Sequence, residues 1–516
     1  MALALFVLFA LPLAPAFAQK LPSPERIVGD YAKAVGGRKR LAAVRDATYE
    51  FSVRDDTGAE SRARMLTKAP SSVRAELHTG GVEVISASNG RLAWTRDPVS
   101  GVQTLTGVEA HTAKLQAMLG AGRMLDFKKK GVLARTVGVE QVGGEQAFVV
   151  EFSRREGGRV RHWFGTTSKL LLKSANPLDA GAYLYDDYRP AAAGGVLEPH
   201  RSAHVTNGKT DATYTLQSVR YNTGLADSLF DPPAEAGLDV SALLRELARN
   251  QKETDERVND YTFTRKVTER EVNDRGELKK ETVNVYEVYP VADHGWVLKH
   301  VAENGAPLAP ERAAKEEKRV AAELAKAERE APKRAEKRER ERARRDAKRR
   351  QVAKGDGEID DAEGDDVGIS TFLRVCEFIS PRRERFGGRD TIVFDFRPRP
   401  GYKPASRGES IVSKLAGAIW IDPAEHQVMR LDGRLIDDIK VGGGLVASVK
   451  PGSAFVFEQA RTAEGVWLPR FAQVNLSAKV FLFAGLTVNE THEYDDYKLF
   501  STKSGDAALD APKGKP

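Results

Sequence analysis

His200 and His204 stand four residues apart in a stretch that alternates polar and apolar residues, LEPHRSAHVT. On a strand that spacing puts both imidazoles on one face, which is how a zinc site could begin. Zinc requires three or four ligands and no third is indicated, so no metal site is expected. The two YDDY runs, at 185–188 and 494–497, offer paired carboxylates of the kind used in hydrolysis or calcium binding. Neighbouring strand residues point to opposite faces, so Asp186 and Asp187 cannot converge on one substrate without a bulge. Cys376 lies in the apolar run FLRVCEFI, where a buried thiol is the expectation. No GxSxG elbow, P-loop or dinucleotide fingerprint occurs, and Gly442-Gly443-Gly444 stands alone and reads as a loop. No catalytic constellation and no cofactor site is expected, and the chain reads as a non-enzyme.

The elements that must carry any site follow from composition and periodicity. With 516 residues, 41% apolar and 30% charged, the chain has the makings of a folded protein of more than one domain. Its net charge of +7 is matched by one stretch, since residues 311–350 carry 17 basic and 10 acidic side chains. A single cysteine excludes an intramolecular disulfide, a CxxC redox pair and a cysteine-rich zinc site. Residues 1–18 are uncharged and end in Ala16-Phe17-Ala18 before Gln19, a small-x-small pattern that predicts export and cleavage as a signal peptide. No cysteine near the cut offers a lipid anchor, and no later apolar run is long enough to span a membrane. The expected location is periplasmic or secreted, with no nucleic-acid partner.

A short amphipathic helix is expected over 24–35, stopped by Gly36-Gly37, with alternating strands from Asp46 to about Tyr221 and a helix over 111–127. Asp231-Pro232-Pro233 closes this unit. A second unit opens with a helix over 239–257, followed by strands at 260–272, 279–289 and 295–303. The segment 311–353 is a charged helix former with no evident face to bury, which Pro332 should kink or interrupt. An acidic flexible run occupies 354–367, strand-like alternation resumes at Thr391, and 504–516 is a polar, disordered tail.

The most specific signal is an internal repeat. Gly143-Gly144 followed by FVVEF at 148–152 corresponds to Gly387-Gly388 followed by IVFDF at 392–396. Trp163 is followed ten residues later by Lys173, and Trp420 ten residues later by Arg430, each across a turn. LYDDYRP at 184–190 aligns with LIDDIKV at 435–441, and GVLEPHR at 195–201 with GVWLPRF at 465–471. At these residues, and at SNGRLAWTRDP (88–98), the chain resembles the periplasmic lipoprotein-carrier superfamily: the LolA and LolB carriers, LppX-like lipid binders and the LolA-like domain of the RseB stress sensor. The resemblance covers two tandem modules, 19–235 and 236–503. It implies an α+β fold of two tandem curved, unclosed antiparallel β-sheets, or half-barrels, each covered by helices, with the long charged helix as an insertion. It further implies a hydrophobic cavity that shields a lipid or lipoprotein acyl chain, or else a protein-interaction or envelope-stress sensor module of the same fold with no lipid cargo.

Alternation places Phe148, Val150 and Phe152 on one strand face, and Ile392, Phe394 and Phe396 on its counterpart. Phe455 with Phe457, and Phe481 with Phe483, add two more same-face pairs, and Trp163 and Trp420 mark the hairpins. These twelve residues are the candidate cavity lining. Either helices cover them tightly as a core, or a space remains in which each buried methylene contributes about 0.8 kcal/mol. The charged helix reads as a solvated spacer held by i to i+4 ion pairs, or as an arm for the anionic envelope membrane surface or an envelope protein.

Overall fold

The computed structural model describes residues 21–191, 195–238, 240–273, 277–291, 295–353, 369–441, 447–449, 452–480 and 484–500. The signal-peptide, acidic-run, Gly442–Gly444, Phe481, Phe483 and C-terminal-tail expectations lie outside them.

The first sheet comprises β1 (Asp46–Asp55), β2 (Glu60–Lys68), β3 (Ser72–Thr79), β4 (Val82–Ser88), β5 (Ala93–Asp97), β6 (Gly101–Thr104), β7 (Leu133–Val142), β8 (Glu145–Ser153), β9 (Arg159–Gly165), β10 (Leu171–Ala175), β11 (Gly181–Pro190), β12 (Leu197–Thr206) and β13 (Lys209–Tyr221). Its order is β6-β5-β4-β3-β2-β1-β13-β12-β11-β10-β9-β8-β7, so the meander returns at β13 to pair with β1, Ala47 opposite Tyr221. The second sheet comprises β14 (Tyr261–Val272), β15 (Leu278–Val291), β16 (Gly295–Glu303), β17 (Ala306–Pro307), β18 (Cys376–Phe386), β19 (Arg389–Pro398), β20 (Leu415–Asp422), β21 (Gln427–Leu435), β22 (Ile439–Val441), β23 (Ala447–Val449), β24 (Ala454–Arg461), β25 (Trp467–Val480) and β26 (Ala484–Leu499). It runs β17-β16-β15-β14-β26-β25-β24-β21-β20-β19-β18, with β22 on β23 and β23 beside β25. Neither sheet closes on itself, and the fold is α+β.

Among the described residues seven α-helices accompany them: α1 (Pro24–Ala34), α2 (Arg38–Ala43), α3 (Gly107–Ala121), α4 (Val240–Arg257), α5 (Pro310–Ala353), α6 (Ile369–Val375) and α7 (Arg407–Val412). The start of α1 shows why the sequence signals work. Ser23 accepts the Arg26 N–H at 3.4 Å, Pro24 supplies a pre-set φ, and Gly36 and Gly37 end the segment at φ of 126° and 93°.

The repeat is realised strand for strand from β7/β18 through β13/β26. Lys173 stands opposite Trp163 with its ammonium 4.5 Å from the ring centroid, and Arg430 stands opposite Trp420 at 5.6 Å. The ten-residue spacing is therefore a cross-strand cation–π pair in both copies. Pro199 and Pro469 likewise fall in equivalent strands, β12 and β25. One alignment differs: 435–441 runs from the end of β21 into β22, whereas 184–190 lies in β11, whose topological partner is β24. The β22–β23 excursion, present only in the second sheet, displaces the similar-looking segment.

The charged helix also differs from its reading. It passes through Pro332 without ending there, and it does bury a narrow stripe, Val320 and Ala327, where it runs beside β16.

The two sheets meet through a buried cluster. Arg382 of β18 is 1% exposed and reaches Glu384 at 2.7 Å, Asp395 at 2.9 Å and the hydroxyl of Thr104, at the end of β6, at 2.8 Å. The Thr104 N–H and hydroxyl in turn donate to the two oxygens of Glu384 at 2.7 and 2.6 Å. Removing one partner of such a cluster leaves uncompensated buried charge. Arg382→Met is expected to cost about 3–5 kcal/mol, read as a lower urea midpoint, whereas a loss below about 1 kcal/mol means the cluster does not hold the sheets together.

Candidate functional site

Each sheet has an inner face that its own helices cover. In the first, Val150, Phe152, Val160 and Phe164 pack with Ile27 and Val28 of α1 and Leu115 and Leu119 of α3, and Phe148 joins them half-buried. In the second, Ile392, Phe394 and Phe396 pack with Leu243 and Leu247 of α4, Phe372 and Val375 of α6 and Val412 of α7, and Phe455 and Phe457 join at the margin. Phe396 and Phe455 converge over Gly433, where a Cβ would collide with the Phe455 ring. These side chains are thus brought together, one set per sheet, as the sequence pattern predicts, and most of them are filled against by helix.

Trp163 and Trp420 are not part of those clusters. Phe148 is opposite Phe164 while Val149 is opposite Trp163, so the indole lies on the outer face with Ala147 and Val149. Trp420 lies likewise with Val393, Ala418, Met429 and Trp467. Strict alternation of side chains along the strand decides this: one residue's shift in a strand is a change of face.

In the first sheet α3 crosses β2–β5 and β9 and α1 lies on β7, so these strands carry most of the helix cover. Beyond them the inner face continues as a run of rings that sequence reasoning missed. Val150 of β8 is opposite His162 of β9, His162 opposite Ser174 of β10, and Ser174 opposite Tyr183 of β11, all on one face. Tyr183 lies 6.1 Å from Tyr214 of β13, Tyr214 6.5 Å from Phe51 of β1, and Phe51 6.3 Å from Tyr49. Tyr183 is 37% exposed and Val84 39%, Phe51 and Tyr214 are half-buried, and Tyr49 is buried. Burial raises the pKa values of Tyr183, Tyr185 and Tyr214 above the ordinary phenol value. The phenols stay neutral, and the surface they form is apolar with hydroxyl tips. The signal was present in the alternation Tyr183–Tyr185 but needed the order of β11, β12, β13 and β1 to become a surface.

The polar candidates are occupied structurally. His204 meets Asp211 at 3.0 Å and Asp179 at 3.5 Å, and His200 contacts the Glu198 carbonyl at 3.1 Å. Asp186 pairs with Arg201 and Asp187 with Arg189, so the two carboxylates part company. Asp187 and Asp496 both take left-handed backbone, φ 53° and 54°. Among the described residues no group of three or more His, Cys, Asp or Glu is placed to hold a metal ion. Glu198 instead accepts from Tyr49 at 3.0 Å, Tyr221 at 2.7 Å and Arg123 at 2.9 Å, a closed network at the end of α3.

No known family model matches the sequence, and neither does any curated protein. Several solved structures are similar. A DUF1329 family protein from Desulfovibrio piger is 14% identical, covering 41% of this chain and 98% of its own, at TM-score 0.28. A LolA superfamily protein from Nitrosomonas europaea is 14% identical, covering 41% of this chain and 99% of its own, at TM-score 0.29. The MucA/MucB complex of Pseudomonas aeruginosa is 9% identical, covering 92% of this chain and 99% of its own, at TM-score 0.18. The likeness is one of fold and assigns no role to this chain.

Two measurements probe the inner faces. His162 lies between the Phe152 and Phe164 rings, 5.3 and 6.1 Å from their centroids, and burial lowers its pKa from 6.5 to about 4. The unfolded chain therefore takes up this proton first as pH falls. The associated stability is complete above pH 6.5 and declines toward pH 4, by up to about 3 kcal/mol. His162→Phe should flatten the pH dependence of the urea midpoint across that window, and an unchanged slope would place the imidazole in water. Cys376 is fully buried among the second cluster, and burial pushes its thiol up to about 12. It should resist a thiol reagent at neutral pH until the protein unfolds, and labelling of the native protein at the rate of a free thiol would contradict that packing.

Proposed function

We propose that the protein is an exported cell-envelope binding protein, not an enzyme, that holds a lipid or lipoprotein acyl chain against the inner face of its first sheet. In this reading residues 1–18 direct export, 19–235 form the ligand-holding module, and 236–503 form a second module of the same fold. The observation that carries it is the aromatic run that leads from buried Tyr49 through half-buried Phe51 and Tyr214 to the exposed Tyr183, on the same face as the helix-covered core. A chain of methylenes laid on these rings gains about 0.8 kcal/mol per buried group, enough for reversible capture. Phe148, Val150 and Phe152 belong to the helix-covered cluster and serve as its support in this reading. The second module's rings, Ile392, Phe394, Phe396, Phe455 and Phe457, serve as core in this reading.

A second reading is a protein-interaction module without lipid cargo. It is favoured by β7, which ends the first sheet and exposes Val137 and Val139, because an unpaired strand edge can accept a partner's strand.

Native mass spectrometry after gentle purification from an envelope fraction separates the two. Lipid adducts on the unaltered protein are expected, and they should disappear in Tyr183→Glu and Tyr214→Glu variants that retain native circular dichroism. Clean, lipid-free protein from a lipid-rich envelope, or adducts indifferent to both substitutions, would leave the interaction module as the better account.

A further inference from the structure

The helix α3 has two working faces. Leu115 and Leu119 enter the first sheet's core, while His111, Lys114 and Met118 line a crevice whose other wall is the second sheet. That wall is the second sheet's outer face: Asp395 of β19, Ala418 of β20, Asp432 of β21 and Val456 of β24 stand in one cross-strand row, with Arg434 a row further along. The enclosed space is about 90 Å³ and adjoins a wider recess of about 450 Å³ that shares Met118, Arg154, Glu156, Gly452 and Asn475 with it. Lys129, Lys130 and Arg155 line the recess, so the approach is basic as well.

Within the crevice the carboxylates are already engaged. Glu156 pairs with Arg154, Asp432 with Arg430 at 3.2 Å, and Asp395 with Arg382 at 2.9 Å. Among the described residues Lys114 and Arg434 have no carboxylate within ion-pair distance. Arg434 spends one N–H on the Gly90 carbonyl, at 2.6 Å, which leaves the rest of its fork for another acceptor. Burial, then repulsion from Arg91 and Arg154, lowers the Arg434 pKa to about 10, and burial lowers that of Lys114, against the pull of Asp432 and with the push of Arg434. Asp432 and Glu156 offset these cations in part, and an entering anion would add to that compensation. In the crevice and the recess beside it, His111 Nδ1, Asn475 Oδ1 and Asn489 Oδ1 are buried without a partner in the protein; the two amide oxygens accept, so a water or a phosphate hydroxyl would meet them rather than an oxyanion oxygen.

We propose that this inter-module crevice is a binding site for a phosphate group, held between Lys114 of the first module and Arg434 of the second. A tetrahedral oxyanion offers several acceptors to a guanidinium fork and an ammonium together, which is the pairing found here. The ligand then bridges the two modules and stabilises their contact by mass action. The site differs from the aromatic run in place and chemistry, so either can fail without the other.

The test uses the full chain. Inorganic phosphate is titrated calorimetrically and by thermal unfolding, against chloride at equal ionic strength. In parallel, the protein is floated with phosphatidylcholine vesicles with or without phosphatidic acid. Free phosphate that binds and raises the unfolding temperature identifies a soluble phosphate compound, whereas binding only to phosphatidic acid vesicles identifies a lipid headgroup. In whichever arm responds, Lys114→Met and Arg434→Gln should each weaken binding by about tenfold or more, the loss of one charge-assisted hydrogen bond, while Lys114→Arg retains it. Should Lys114→Met or Arg434→Gln fail to fold, the unaltered chain still decides: no response to phosphate beyond that to chloride, with no preference for phosphatidic acid, overturns the proposal. Binding that survives both substitutions overturns it equally.

Discussion

Arg382 has lost its water, and the relation between the two sheets follows from how that loss is made good. A buried guanidinium is tolerable only if its donors are met, and here they are met from both sides of a boundary: Glu384 and Asp395 on its own sheet, Thr104 on the other. The Thr104 N–H and hydroxyl then fix Glu384. Because unmet charge in that environment costs several kcal/mol, β6 and β18 are held in one relative position. With β6 held, α3, which follows it in the chain, is laid against the second sheet's outer face, and the crevice exists as a consequence.

Duplication explains how such a contact could arise. Glu151 in β8 and Asp395 in β19 occupy the same place in the repeat, each an acidic residue on the outer face between aromatic or aliphatic inner-face neighbours. In the first copy Glu151 is bracketed by Arg135 at 2.8 Å and Arg161 at 2.9 Å, both partly open to solvent. In the second copy the same position, equally buried, faces Arg382 at the boundary with the first module. The repeated acidic residue thus meets two arginines partly open to solvent in one module and the buried inter-module cluster in the other. The outer face of a half-barrel is free to take this role because the inner face is already committed to its helices.

What the sequence revealed and what it concealed divide along physical lines. Strands and their spacing depend on neighbours a few residues away, so the repeat of FVVEF with IVFDF and the two tryptophan–cation hairpins could be read directly. The face on which Trp163 and Trp420 lie depends on register, and a residue's type alone does not carry register. The Thr104–Arg382 contact spans 278 positions, and the ring run from Phe51 to Tyr214 likewise needs β1 and β13 to meet. Neither leaves a local trace. The inner-face residues were identifiable as a set, yet which of them a helix covers is decided by where α1 and α3 cross the sheet, and those contacts join distant parts of the chain.

The charged helix shows the same division within one element. A sheet that does not close leaves an edge of unmet backbone groups, and such an edge invites association. Past β16 the second sheet has only the two residues of β17, so most of that edge needs another cover. The first half of α5 supplies it with side chains: Glu316 accepts the His300 N–H at 2.9 Å, and Arg319 donates to the Leu298 carbonyl. The Arg319 guanidinium, foremost, and the His300 N–H hold the Glu316 carboxyl down at about 2, so the cap stays charged across the physiological range. Val320 and Ala327 seat that half of the helix. A strand added there would bring a further edge of its own, whereas a helix satisfies its backbone internally and ends the series. Read this way, the insertion is first a terminator of the sheet, and its highly charged composition follows from having one narrow face to bury and the rest in water.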